Sequence, residues 1–260
     1  MDGNLLKTTM VQQNEERIIA LEGAANCRDL GGLVTLAGEK TKFGVLYRSD
    51  ALSRLTNLDL HTLSERGIRS VIDLRDAGER ERAPSRYPTD SSCQTIQCGF
   101  TPKTAVSLFD AVNRGETTPD EASAVMQANY AGMPFAYATE LSKVFHHLIT
   151  DETSPHLIHC MSGKDRTGVV IALLLLAVGV SVREVTADYE LSNVKHQPVD
   201  VFTDGARLDT IATLMAANPL YISSTISAIE TKCGSIHQYF SDNLRFGQSK
   251  IQRLKSLLLE

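Results

Sequence analysis

Apolar residues run along this chain in two rhythms, and the changes of rhythm mark out its elements. Short continuous runs occur at residues 45–48 in "GVLYRSDAL", at Val71, Ile72 and Leu74 in "RSVIDLRD", at 93–100 in "CQTIQCGF" and at 155–160 in "PHLIHC". Runs of this length between turn residues suit buried strands. Helical spacing appears between them. Leu55, Leu58, Leu60 and Leu63 form a stripe around Thr56 and Asp59, with Gly67 beyond, which predicts a capping box, one helix and a glycine stop. Pro119 opens a second helix to 131, with Asp120 and Glu121 in its first turn. Pro134 sits near the start of another, to about 149, whereas 101–118 reads as irregular.

The longest apolar run, "GVVIALLLLAVGV" at 168–180, is too short for a bilayer and predicts a buried helix over 166–178. Ser181, with Glu184 three residues on, caps the next. A helical tail follows at 204–217, 219–233, 236–243 and 249–259. Residues 1–18 are polar and weakly patterned and read as a flexible arm. The whole predicts an α/β domain over 19–260: a small, mostly parallel sheet flanked by helices, with an all-helical C-terminal part.

Composition narrows the function. The net charge is −5 over 260 residues and no block of Lys and Arg stands out, which speaks against a broad nucleic-acid or anionic-membrane surface. Five irregularly spaced cysteines in a chain of this size suit a reducing compartment rather than a disulfide framework. No secretory signal pattern opens the chain. A cytoplasmic monomer without an integral membrane segment is the expectation.

The chemistry concentrates in "HCMSGKDRTG", residues 159–168, between a predicted strand and the apolar helix. Ligands of open α/β sheets gather at the carboxyl ends of strands. A helix N-terminus there offers free N–H groups and partial positive charge, so anions bind it readily. Cys160 faces that field, and helix N-termini and cations favour the reactive thiolate. Arg166, six residues on, can grip two oxygens of a tetrahedral oxyanion with its planar fork. Amides of Met161, Ser162, Gly163, Lys164 and Asp165 would complete the cradle, and Thr167 could donate its hydroxyl to the sulfur. Cysteine followed by arginine at this spacing is a weak signal alone; strand, glycine, Thr-Gly and helix around it make it specific. The arrangement predicts in-line attack on a phosphate by Cys160, with no cofactor and no metal ion required.

The same stretch resembles the cysteine-dependent phosphatase loop in the version with Lys-Asp before the arginine. That version is similar to bacterial and fungal tyrosine-protein phosphatases of the PtpB-like type. "GAANCRDLGG", "LYRSDALSRL", "GIRSVIDLR", "ADYELSN" and the closing "YFSDNLRFGQSKIQRLKSLLLE" also look like family segments. The resemblance implies Cys160 as nucleophile, Arg166 as phosphate-binding arginine and Met161 to Asp165 as loop amides. It implies that Lys164 adds charge toward a second phosphate or a phosphoinositide headgroup. Asp165 is the first choice for general acid. Relatives offer a competing Asp after the strand matching "TIQCGF", but here "GFTPKT" holds none before Asp110. The family's aromatic after Asn is Cys27 here. The expected substrate is a phosphorylated protein or a phosphoinositide. The alternatives are a catalytically weak module that binds phospho-ligands with this loop, and another anion chemistry such as sulfur transfer or arsenate reduction.

Outside the loop, Arg28 and Asp29 suggest an ion pair that braces the loop or merely stabilises its own turn, and Asp73 and Arg75 a support for the loop or a plain strand end. Asp76, Glu79, Arg80, Glu81 and Arg82 read as a solvated face. His156 shares a strand face with Cys160 but His159 does not, so a zinc site on that strand is not expected. Residues 199–219 read equally as a lid over the pocket or as ordinary packing helices.

Overall fold

The computed structural model describes residues 15–87, 93–151, 155–193 and 202–260. Five short strands form one sheet: β1 (Arg28–Asp29), β2 (Leu46–Ser49), β3 (Ser70–Asp73), β4 (Gln94–Gln97) and β5 (His156–His159). Their order is β1-β2-β5-β3-β4, with only β1 antiparallel to its neighbour. The last strand in sequence is therefore the central one in space. Ser49 and Asp73 lie opposite His159 in register, one on each side, so three strand ends converge where Cys160 begins.

The helices follow local chemistry. In α1 (Asn57–Glu65) the Thr56 side chain accepts from the Asp59 N–H and Asp59 accepts in return, the reciprocal capping box. Gly67 then takes a left-handed φ of 70°. Leu55, Leu60 and Leu63 are buried, but Leu58 is 61% exposed, so the stripe is narrower than its spacing suggests. In α2 (Ala77–Arg82), Asp76 and Glu79 make the same reciprocal cap.

Residues 101–118, expected to be irregular, contain α3 (Lys103–Asn113). It lacks a side-chain N-cap and so gives no start signal; burial of Leu108 and Val112 holds it instead. Next come α4 (Pro119–Ala136) and α5 (Ala138–Thr150). Pro134 ends up inside α4, and the break falls at Tyr137. The apolar helix is α6 (Asp165–Ala177), nearly all of it buried. The tail supplies α7 (Val182–Glu190), α8 (Leu208–Met215), α9 (Pro219–Cys233), α10 (Ile236–Asp242) and α11 (Gln248–Leu258).

Alternation along the central strands divides the interior. Ile72, Ile158 and Cys160 join the larger core with α6 and the tail helices. Val71 and Leu157 join a smaller one with Leu60, Leu63 and Tyr47. Of the expected arm, residues 1–14 lie outside the described residues, while Arg17 is 2% exposed. Part of the segment expected at 199–219 also lies outside them; the rest carries α8. Among the described residues no helix is long and apolar enough to cross a membrane.

Candidate active site

The loop after β5 is held from behind by its carbonyls. Met161 O accepts from the Ala51 N–H at 2.8 Å, Ser162 O from Asn26 Nδ2 at 3.0 Å, and Gly163 O from Arg48 Nη2 at 2.6 Å. Three successive carbonyls are thus drawn to one side. Among the described residues no protein group accepts from the N–H groups of Met161, Ser162 and Gly163. Successive free amides in a turn make an anion nest. Gly163 is required here: its φ is 65°, and a Cβ would stand 2.4 Å from Ser49 O.

Behind those supports lies a buried cluster of charge. Asp188 of α7 receives Arg28 at 3.1 Å, Arg48 at 2.7 Å and Arg17. Burial alone would raise the Asp188 carboxyl, but the guanidinium groups of Arg28, Arg17 and Arg48 hold it far below the ordinary range. Burial and neighbouring Arg48 push Arg28 down to about 10. Arg28 also donates to Asn26 Oδ1, so the residue that fixes Ser162 O is itself fixed. The expected Arg28–Asp29 pair does not form. Asp29 instead accepts from the amides of Gly31 at 2.7 Å and Gly44 at 2.8 Å.

Arg166 leaves the first turn of α6 and meets α2. Nη1 and Nη2 donate to the two carboxylate oxygens of Glu79, each at 2.6 Å. Nη1 also reaches Leu74 O and Phe100 O, both at 3.1 Å. Burial would lower the Arg166 guanidinium, but its hydrogen bonds to Glu79 and the nearby Cys160 and Asp165 raise it, so it stays charged. Nε–H and the second Nη2 hydrogen keep no protein acceptor among the described residues. They form the side-on fork that suits two phosphate oxygens. Cys160 itself is 1% exposed, at the floor of this arrangement.

Asp165 accepts from the Tyr130 hydroxyl at 2.7 Å, and that hydroxyl lies 2.8 Å from Tyr189 Oη. Its side chain is 32% exposed. Lys164 is 3% exposed: Nζ donates to Leu214 O and to Ala216 O at 3.2 Å, and lies 3.4 Å from Asp165 Oδ1. Its ammonium closes the C-terminal end of α8 rather than reaching out. Thr167 Oγ1 is enclosed without a hydrogen-bond partner among the described residues, so the expected donation to the sulfur is not formed. Its N–H remains at the helix start.

Asp73 and Arg75 pair with each other at 2.8 Å, and Asp73 lies 3.6 Å from His159 Nε2. Burial would raise Asp73, yet the Arg75 hydrogen bonds keep it below the ordinary range. Burial pushes the His159 imidazole down to about 4 despite Asp73. Neutral His159 places Nδ1 3.1 Å from Cys160 O and so helps anchor the loop's entry.

Sequence reasoning named Cys160, Asp165 and Arg166, and both Cys160 and Asp165 lie close enough to the Arg166 guanidinium to raise it. It missed Glu79, which is no solvated charge but the partner of Arg166. It also missed Arg48, Asn26 and Asp188. One signal was present: Asp76-x-x-Glu79 is a capping-box spacing, which fixes a Glu at a helix start.

Comparison with known proteins places these features. The model of the "Tyrosine phosphatase family" matches residues 19–260. A candidate tyrosine-protein phosphatase of Cupriavidus necator is 27% identical over 244 residues, 90% of this chain and 86% of the relative. The triple specificity protein phosphatase PtpB of Mycobacterium tuberculosis is 28% identical over 280 residues, 92% of this chain and 98% of the relative. Among solved structures, the core catalytic domain of the PP-IP phosphatase SIW14 from S. cerevisiae covers 74% of this chain and 91% of its own, at 19% identity and a TM-score of 0.34.

Proposed function

The chain belongs to this tyrosine phosphatase family of cysteine-dependent enzymes, and on that footing we propose that it hydrolyses phosphate monoesters through a phosphocysteine on Cys160. The observation that carries the reading is the turning of three loop carbonyls away from the pocket by Ala51, Asn26 and Arg48. That leaves the opposing amides, with the side-on fork of Arg166, to receive a phosphate.

In the first step Cys160 Sγ attacks phosphorus in line with the ester oxygen. An S–P bond forms, the P–O bond breaks, and Asp165 gives the leaving oxygen its proton. Charge on the three remaining oxygens meets the loop amides and Arg166. In the second step water attacks phosphorus, Asp165 takes the water's proton, and the S–P bond breaks to return the thiolate and inorganic phosphate. Each proton and electron pair is accounted for by these side chains, so the cycle needs no cofactor.

Depth supports an aryl phosphate on a protein as the substrate. A sulfur that is 1% exposed is reached most easily by a phosphate carried on a flat, extended ring such as phosphotyrosine. The mycobacterial relative, named a triple specificity phosphatase, suggests wider specificity. A phosphoinositide would gain a second cation from Lys164 only if that ammonium left the carbonyls of Leu214 and Ala216.

The test is a chemical trap. With an aryl phosphate and a chelator present, the protein should release phosphate, and Cys160→Ser should not. Rapid acid quench of Asp165→Asn should leave labelled phosphate on Cys160. Hydrolysis that survives Cys160→Ser, or phospho-ligand binding without phosphate release by the intact chain, would sink the reading.

A further inference from the structure

At the far end of β5 from the nucleophile a second group of side chains converges. His147 and Asp151 lie one turn apart at the end of α5, and His156 opens the strand. His147 Nε2 is 3.2 Å from Asp151 Oδ2, and His156 Nδ1 is 3.9 Å from the same oxygen. All three ligand atoms fall within 4.8 Å of one another. We propose that His147, Asp151 and His156 bind a divalent transition cation, zinc above others.

The donor set selects the ion. Two imidazoles and one carboxylate suit zinc and its neighbours, whereas calcium and magnesium prefer oxygen alone. Bonds of about 2.0–2.2 Å in a tetrahedral site put ligand atoms roughly 3.3 Å apart. The carboxylate-to-imidazole edges are already near this value, and the remaining edge needs to close by at most about 1.5 Å.

His156 gives an independent indication. It is 3% exposed, and its Nδ1 has no hydrogen-bond partner among the described residues. A buried polar nitrogen left unpaired is costly, and this one faces the carboxylate and the second imidazole. Ser70 Oγ lies 2.9 Å from His147 Nε2. On metal binding that hydrogen bond yields, and the hydroxyl or a water takes the fourth position.

This site is separate from the catalytic one. Four residues of strand at about 3.3 Å each put His156 roughly 13 Å from Cys160. Binding there would tie the end of α5 to the start of the central strand.

The experiment uses the full chain carrying Cys160→Ser, which removes the reactive thiolate as a competing ligand. Titration with cobalt(II) should give the visible absorption of a four-coordinate site at one equivalent, bleached by zinc(II). His156→Gln and, separately, His147→Ala should weaken binding at least about 100-fold. Zinc(II) should raise the melting temperature of the parent but not of His147→Ala, whose position at a helix end makes it the safer variant to fold. No binding at one equivalent, or binding that survives both substitutions, would overturn the proposal.

Discussion

Arg166 gives Glu79 both of its terminal nitrogens, Nη1 to Oε2 and Nη2 to Oε1, each at 2.6 Å. Glu79 is also the residue whose carboxylate returns to the Asp76 N–H at 2.8 Å to cap α2. One side chain therefore starts a helix and aims the guanidinium of Arg166. Removing it should leave the loop folded but the fork poorly aimed. Glu79→Gln is expected to lower kcat/KM for an aryl phosphate about 10- to 100-fold, a cost typical of ångström-scale misplacement. Initial rates and an unchanged melting temperature check this; unchanged rates would show that Arg166 aligns without Glu79.

Asp188 has the opposite character, since it touches nothing in the pocket. Asp188→Asn leaves Arg17, Arg28 and Arg48 buried without their counter-charge. Breaking a buried charge group in this way costs about 3–5 kcal/mol. Urea unfolding should show that loss, and any residual folded protein should have a loosened loop and reduced kcat.

The general acid can be read from the leaving group. Asp165→Asn should slow hydrolysis of an alkyl phosphate by about 100- to 10,000-fold, because an alkoxide needs its proton. The burst of phenoxide from a nitrophenyl phosphate, which leaves without a proton, should suffer far less, although its steady turnover slows because Asp165 also activates the water. Equal losses on both would move the role to another residue.

How much of this could be read beforehand divides by the range of the contacts. Cys160, Gly163 and Arg166 share one loop of chain, so spacing and the strand–helix context exposed them. The helix caps at Thr56 and Ser181 are equally local. Glu79 and Arg166 stand 87 residues apart, and Arg48 and Asp188 stand 140 apart. Charge runs such as "AGERER" do not say which member turns inward. The helix over 103–113 escaped notice because its start has no capping side chain. His156 was weighed only against its own strand, and its neighbours come from α5.

A pH prediction follows from His159. Burial takes its folded value from the ordinary 6.5 to about 4. Between those values the unfolded chain binds a proton that the native chain refuses. Stability is therefore full above about pH 6.5 and falls as pH drops toward 4, by roughly 3 kcal/mol for this group. Chemical denaturation from pH 7 to 4 should show the fall, and His159→Asn should remove its share of it, leaving that of His156, which burial also pushes down to about 4. A parallel decline in both proteins would assign it to other groups.

The cluster around Asp188 also orders events in time. A growing polypeptide that has emerged only as far as Thr167 already contains the thiol, the arginine and the glycine turn. It still lacks the carboxylate that neutralises Arg28 and Arg48, and hence the support for the carbonyls of Ser162 and Gly163. Contacts spanning this much sequence form late and slowly. The loop should accordingly reach its supported form only once α7 has docked, when most of the chain has been made.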